Sequence, residues 1–184
     1  GGQSNVASGL GATVPGGSTC TASGSKSLAS GYESVASLYG QHAQASGKIA
    51  AAGDAQTSVL TLRTTTADAT PRVLTLDGAA VGAANVLIVP AEASWRYSVE
   101  VIARDTVANH TGSWFVQGTI ANNAGTTALV GDQVLTESAD ESTDWAIAVT
   151  ATDSTVDLLT ITFTGDDTNA CNVVARVTLV QLIF

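Results

Sequence analysis

Methionine is absent from all 184 residues, so residue 1 is not the product of a start codon, and the chain is expected to be the C-terminal piece of something longer. Cysteine occurs twice, at Cys20 and Cys171. Two thiols carry no framework spacing, so they are expected to be isolated small buried residues, with a single disulfide as the alternative. Histidine also occurs twice, at His42 and His110, and no His–Cys cluster exists to hold zinc. Basic residues number seven against sixteen acids, a net charge of −9, which excludes the basic groove that nucleic acid demands and disfavours an anionic membrane surface. No apolar run reaches the length of a membrane helix or a signal sequence, so no membrane insertion is expected. Aromatic residues make up 5%, and the 45% apolar content is carried by Ala and Val. Large side chains to fill a core are therefore few, and burial against partner chains is the natural remedy.

What is present is a repeat. Ala22-Ser23-Gly24, Ala29-Ser30-Gly31 and Ala36-Ser37-Leu38 recur every seven residues, and Ala45-Ser46-Gly47 and Ala52-Gly53 follow after a two-residue insertion. A short fixed period of small residues marks stacked rungs. Ala fits the inside of a flattened coil, Gly supplies the corner, and Ser offers its hydroxyl to the turn. Two seven-residue halves make a fourteen-residue rung. A heptad helix is the competing reading, but Gly at a fixed phase costs about 1 kcal/mol each relative to Ala, and no Leu or Ile seam is present. Composition alone also permits disorder.

The stretch from Ala22 to Ser37 resembles the head repeat of trimeric autotransporter adhesins (YadA-like heads), which also occurs in bacteriophage tail fibres. The resemblance covers about residues 4 to 56, and implies a homotrimer in which each chain winds a parallel β-roll around a common axis. The pattern is broken at Leu38, where Gly is expected, around Tyr39-Gly40, and at Val14-Pro15-Gly16.

Residues 57 to 84 hold a looser echo, Val59-Leu60-Thr61-Leu62-Arg63 and Val73-Leu74-Thr75-Leu76-Asp77, expected to form a neck. From residue 85 onward the chain reads as short strands of period two. Trp95, Tyr97, Val99 and Val101 share one face, as do Trp114, Val116, Gly118 and Ile120; Trp145, Ile147 and Val149; Leu159, Ile161 and Phe163; and Val173, Ala175, Val177 and Leu179. Loop-like separators such as Asn122-Asn123-Ala124-Gly125 lie between them. Regularly spaced strands without a helical stretch predict an antiparallel sandwich or jelly roll. The fold class expected is therefore all-β: a trimeric parallel β-solenoid over 1–56, a neck over 57–84, and a sandwich tip over 85–184.

Chemistry is sparse. Nothing of the form G-x-S-x-G marks a nucleophile, and phosphate-binding glycine motifs are absent. Glu137 to Asp144 concentrates four carboxylates, at Glu137, Asp140, Glu141 and Asp144, but lacks the spacing and glycine of an EF-hand loop, and neither it nor Asp166-Asp167 assigns a metal. Asn109-His110-Thr111 matches the glycosylation sequon, a frequent chance match. The C-terminal Val180-Gln181-Leu182-Ile183-Phe184 ends as outer-membrane barrels do, but the acidic, loop-rich strands before it lack lipid-facing bands. Aromatic faces can stack on sugar rings, so Trp95, Trp114 and Trp145 could form stacking platforms, against the alternative that they fill the core. Trp114 and Trp145 with the polar residues His110, Asn122 and Asn123 form the candidate glycan-binding set. The order of repeat, Thr-rich neck and compact β tip resembles the distal end of a phage tail fibre. That resemblance implies a virion protein acting at the host surface, joined to upstream tail-fibre proteins. It would bind a bacterial surface glycan or outer-membrane receptor, with no cofactor and no enzymatic activity. A bacterial surface adhesin and a capsule-cutting enzyme are the alternatives.

Overall fold

The computed structural model describes residues 1–142, 144–166 and 169–184. Among the described residues every regular element is a strand. Six strands build the N-terminal part: β1 (Val6–Ala7), β2 (Gly17–Ser18), β3 (Thr21–Ala22), β4 (Leu28–Tyr32), β5 (Val35–Ala36) and β6 (His42–Ser46). β1, β3 and β5 pair in parallel, with Thr21 opposite Val35. β2, β4 and β6 pair in parallel in the other sheet, with Leu28 opposite His42. Both offsets are fourteen residues, so there the chain changes sheet every seven; the first rung is offset by fifteen, with Val6 opposite Thr21 and Thr13 opposite Leu28, the extra residue falling at Val14-Pro15-Gly16. Ala22, Ala29, Ala36 and Ala43 fill the space between and are at most 1% exposed. A larger side chain would force the two layers apart, which is why Ala recurs there.

The expected two-residue insertion after Ala36 is absent from the stacking. Ala29 pairs with Ala43, and Gly31 with Ala45, so Ala43-Gln44-Ala45 takes the next place in the repeat and Ala45-Ser46-Gly47 does not. Leu38 and Ala45 stand where glycine is expected for a physical reason. A Cβ on Gly24 would lie 2.1 Å from the Leu38 carbonyl oxygen, and one on Gly31 would lie 2.1 Å from that of Ala45. Glycine is required where the next rung passes that closely, and among the described residues no further parallel strand follows Leu38 or Ala45. Gln41 closes this end at the position that Ser27 and Ser34 hold in earlier turns. Its Oε1 accepts the N–H groups of Ser37 (2.8 Å) and Leu38 (2.9 Å), and its Nε2 donates to Ser58 Oγ (2.8 Å).

The remaining strands are β7 (Ala55–Thr66), β8 (Arg72–Val73), β9 (Leu87–Ile88), β10 (Ala93–Asp105), β11 (Thr111–Asn123), β12 (Thr126–Leu129), β13 (Val134–Asp140), β14 (Ala146–Thr152), β15 (Leu158–Thr164) and β16 (Cys171–Ile183). β7 joins the two parts. It pairs antiparallel with β6 from His42↔Val59 to Gln44↔Thr57, and with β16 along its whole length. One mixed sheet therefore runs β12-β11-β10-β16-β7-β6-β4-β2, with β13 also on β11. A smaller sheet, β14-β15-β8 with β9 on β15, covers its inner face. Residues expected as a neck are divided between these sheets: β7 lies in the large one and β8 in the small one, with Arg63 and Thr75 bridging them.

The apolar faces read from the alternation meet in one core. Leu60, Leu62, Trp95, Tyr97, Val99, Val177 and Leu179 of the large sheet oppose Leu159, Ile161 and Phe163 of the small one. Cys20 and Cys171 are free and buried. Burial, with the carboxylates of Asp166 and Asp105 nearby, pushes the Cys171 thiol up to about 11. No helix among the described residues is long and apolar enough to cross a membrane.

Candidate functional site

The five residues singled out from the sequence do not converge. His110 immediately precedes β11, whereas Asn122 and Asn123 end it, so at about 3.3 Å per residue the two ends stand roughly 40 Å apart. Trp114 and Trp145 sit at the His110 end, in the core. Each packs edge-on against Phe163, with ring centroids 5.9 and 5.8 Å away, and both are under 5% exposed. Gly112 makes room for Trp114, since a Cβ there would lie 2.2 Å from the indole. Trp114 Nε1 donates to Glu137 Oε2 at 3.1 Å. Neither indole offers an open face on which a sugar could stack.

Asn122 is a buried stitch between the sheets. Its Nδ2 donates to Val89 O and Asp157 Oδ2, both at 2.9 Å, and its Oδ1 accepts the Gly125 N–H at 2.8 Å. Asn123 is exposed at the tip of the β11–β12 hairpin, where Ala124 and Gly125 both take positive φ. His110 closes the β10–β11 hairpin. Its Nδ1 lies 3.4 Å from Asp105 Oδ2, and Asp105 also accepts the N–H groups of Val107 (2.9 Å) and Asn109 (2.8 Å). Burial works to raise the Asp105 carboxyl, but the backbone N–H donors around it outweigh that and hold it below the usual carboxylate range. In the acidic segment, Glu141 Oε2 accepts the Thr111 N–H at 2.7 Å, which, like the Glu137 bond, ties down the β11 edge. Thr143, the Asp140 side chain and Asp167 lie outside the described residues. No group of three or more His, Cys, Asp or Glu among the described residues is placed to hold a metal ion.

One concave site lies where the sequence reading did not look. Pairing of β6 with β7 stops at Gln44↔Thr57, the strands diverge, and a cleft of about 540 Å³ opens between them. Its walls carry the amide and hydroxyls of Gln44, Ser46 and Thr57 beside the aliphatic Ala45, Val180 and Leu182. Tyr32, half exposed, stands opposite Ser46 on the neighbouring strand. The volume falls in the range of small-ligand sites, and alternating polar and aliphatic walls match the two characters of a sugar ring. Gln44, a long amide between Ala43 and Ala45, was the available signal.

No family model matches the chain, and no curated protein matches it. Solved structures similar to it include two phage tailspikes. One is the tailspike protein gp49 of Acinetobacter baumannii bacteriophage Fri1, a capsular polysaccharide depolymerase, at a TM-score of 0.39 and 10% identity, covering 98% of this chain and 38% of that one. The other is the tailspike protein of Acinetobacter baumannii phage AM24, at a TM-score of 0.31 and 8% identity, covering 92% of this chain and 33% of that one. This chain thus spans between a third and two fifths of their lengths. The expectation of no enzymatic activity is contradicted by the first of these neighbours, a capsular polysaccharide depolymerase.

Proposed function

We propose that the chain is the distal, receptor-engaging end of a phage tail fibre or tailspike, attached to the virion through upstream tail proteins and acting outside the host cell. In this reading residues 1–56 are a trimeric parallel solenoid, and the sandwich continuing from β7 is the tip. The ligand is a bacterial surface glycan. The observation that carries the reading is the cleft between β6 and β7, with Gln44, Ser46 and Thr57 set against Ala45, Val180 and Leu182. A polar wall beside an aliphatic one suits a sugar, whose hydroxyls need hydrogen bonds while its C–H face needs an apolar surface. Three such clefts on one rigid particle convert modest affinity at each into firm attachment.

Calorimetric titration with purified bacterial capsular and lipopolysaccharide glycans tests this. One glycan is expected to bind, at one site per chain. Ser46→Trp, which fills the cleft from an exposed position, is expected to reduce the affinity at least tenfold with the circular-dichroism spectrum unchanged. Binding unaffected by Ser46→Trp would remove the cleft as the site. New reducing ends in the same mixtures show whether bound glycan is also cut.

A further inference from the structure

The outer face of the large sheet has a charge unlike that of the rest of the molecule. Along β7, β16 and β10 the inward residues are buried in strict alternation, so Arg63, Arg176, Arg96 and Arg104 all point outward. The registers place them on one face: Arg176 opposite Glu100, Arg63 opposite Val174, and Val174 opposite Ile102. Among the described residues these strands add only Glu100 as an outward acid. Four of the seven basic residues thus share this face with one of the sixteen acids, leaving three bases and fifteen acids elsewhere. Ile102 and Val174 on the same face are 56% and 44% exposed. Arginine set among exposed aliphatic side chains is the composition of a protein interface.

A complementary surface exists on the same chain. β13 pairs with β11 alone and leaves its other side without a strand partner among the described residues. Val134 and Leu135 on it are 51% and 56% exposed, and Asp132, Glu137, Glu141 and Asp144 along it or beside it are exposed acids. An open edge of this kind invites cover. The two surfaces lie on different parts of the sandwich, so matching them joins two copies head to tail, and a rotation that closes gives a ring.

We infer that the Arg63/Arg96/Arg104/Arg176 face is a subunit interface that receives the acidic β13 edge of a second copy of this chain. This rests on the homotrimer in the reading above and names the surfaces that hold the sandwiches together. Light scattering on the full chain tests it. Arg96→Glu with Arg176→Glu is expected to lower the molar mass to that of one chain at concentrations where the unsubstituted protein is assembled. Adding Asp132→Arg and Asp144→Arg to the same chain is expected to restore the mass. Raising salt is expected to weaken the unsubstituted assembly, because exposed charge contacts are screened. An assembled Arg96→Glu/Arg176→Glu variant would overturn the interface while leaving the trimer intact. The same variant assembled but no longer binding an acidic polysaccharide would reassign the face to glycan. A single-chain unsubstituted protein would overturn the trimer reading itself.

Discussion

The side-chain amide of Gln56 pairs with both main-chain groups of Val35, its Oε1 accepting the Val35 N–H at 2.9 Å and its Nε2 donating to the Val35 carbonyl at 2.8 Å. A following rung would have offered β5 this same donor and acceptor. One glutamine of β7 therefore ends the parallel stack by imitating the strand that is not there. Gln181 and Ser58 hold it in place, since Gln56 Nε2 and Ser58 Oγ both donate to Gln181 Oε1. The termination is thus built from the β-sandwich itself, which ties the stability of the two parts together.

Gln56→Leu removes the amide and keeps the bulk. It leaves the Val35 N–H and carbonyl without partners, at about 1–3 kcal/mol for each group that stays dry. Urea denaturation is expected to show one cooperative transition with a lower midpoint. A midpoint equal to that of the unsubstituted chain would mean that water closes the stack equally well.

Gly31 and Gly40 both take positive φ, at 95° and 63°. Their surroundings differ. A Cβ at Gly31 meets the Ala45 carbonyl oxygen at 2.1 Å, whereas at Gly40 nothing lies within 4 Å. Gly40→Ala is expected to cost about 1 kcal/mol in backbone strain alone. Gly31→Ala is expected to cost several times that, or to unfold the N-terminal stack, with thermal unfolding as the measurement.

Trp145 distinguishes packing from recognition. As a core residue against Phe163, its replacement by Ala is expected to lower stability by about 3–5 kcal/mol. Glycan affinity of the fraction that remains folded is expected to be unchanged. Loss of affinity without loss of stability in Trp145→Ala would restore it as a binding residue.

Asp54 and Asp105 give the fold an acid-labile component. At Asp54, as at Asp105, burial works to raise the carboxyl, but backbone N–H donors, here from Ala51, Ile49 and Ala50, hold it below its ordinary value. A depressed folded-state value means that the stabilisation is complete above the unfolded value, about 4, and is lost as pH falls through the lower folded one. Tryptophan fluorescence is expected to report falling stability below about pH 4. In the Asp54→Asn/Asp105→Asn variant that slope is expected to flatten, from a lower starting stability at neutral pH.

The inside of the N-terminal stack was legible because its geometry is local. A seven-residue period maps directly onto the buried column of Ala22, Ala29, Ala36 and Ala43. The alternation at Trp95 to Val101 and Val173 to Leu179 likewise placed each side chain on its correct face. The junction was not legible. That β7 serves both β6 and β16 depends on partners more than a hundred residues apart, and no local pattern encodes such a pairing. The cleft was hidden because its far wall, Val180 and Leu182 of β16, comes from more than a hundred residues beyond Gln44. Asn122 read as a turn residue because its cross-sheet partners, Val89 and Asp157, are more than thirty positions away in either direction.

A stack filled by alanine has little bulk of its own, so copies of this chain are expected to assemble. Molar mass in solution by light scattering, before and after heating, tests that directly. A mass near three times the 18.5 kDa chain, falling to one chain only on unfolding, is the expected result. A folded, stable single chain across the accessible concentration range would contradict it.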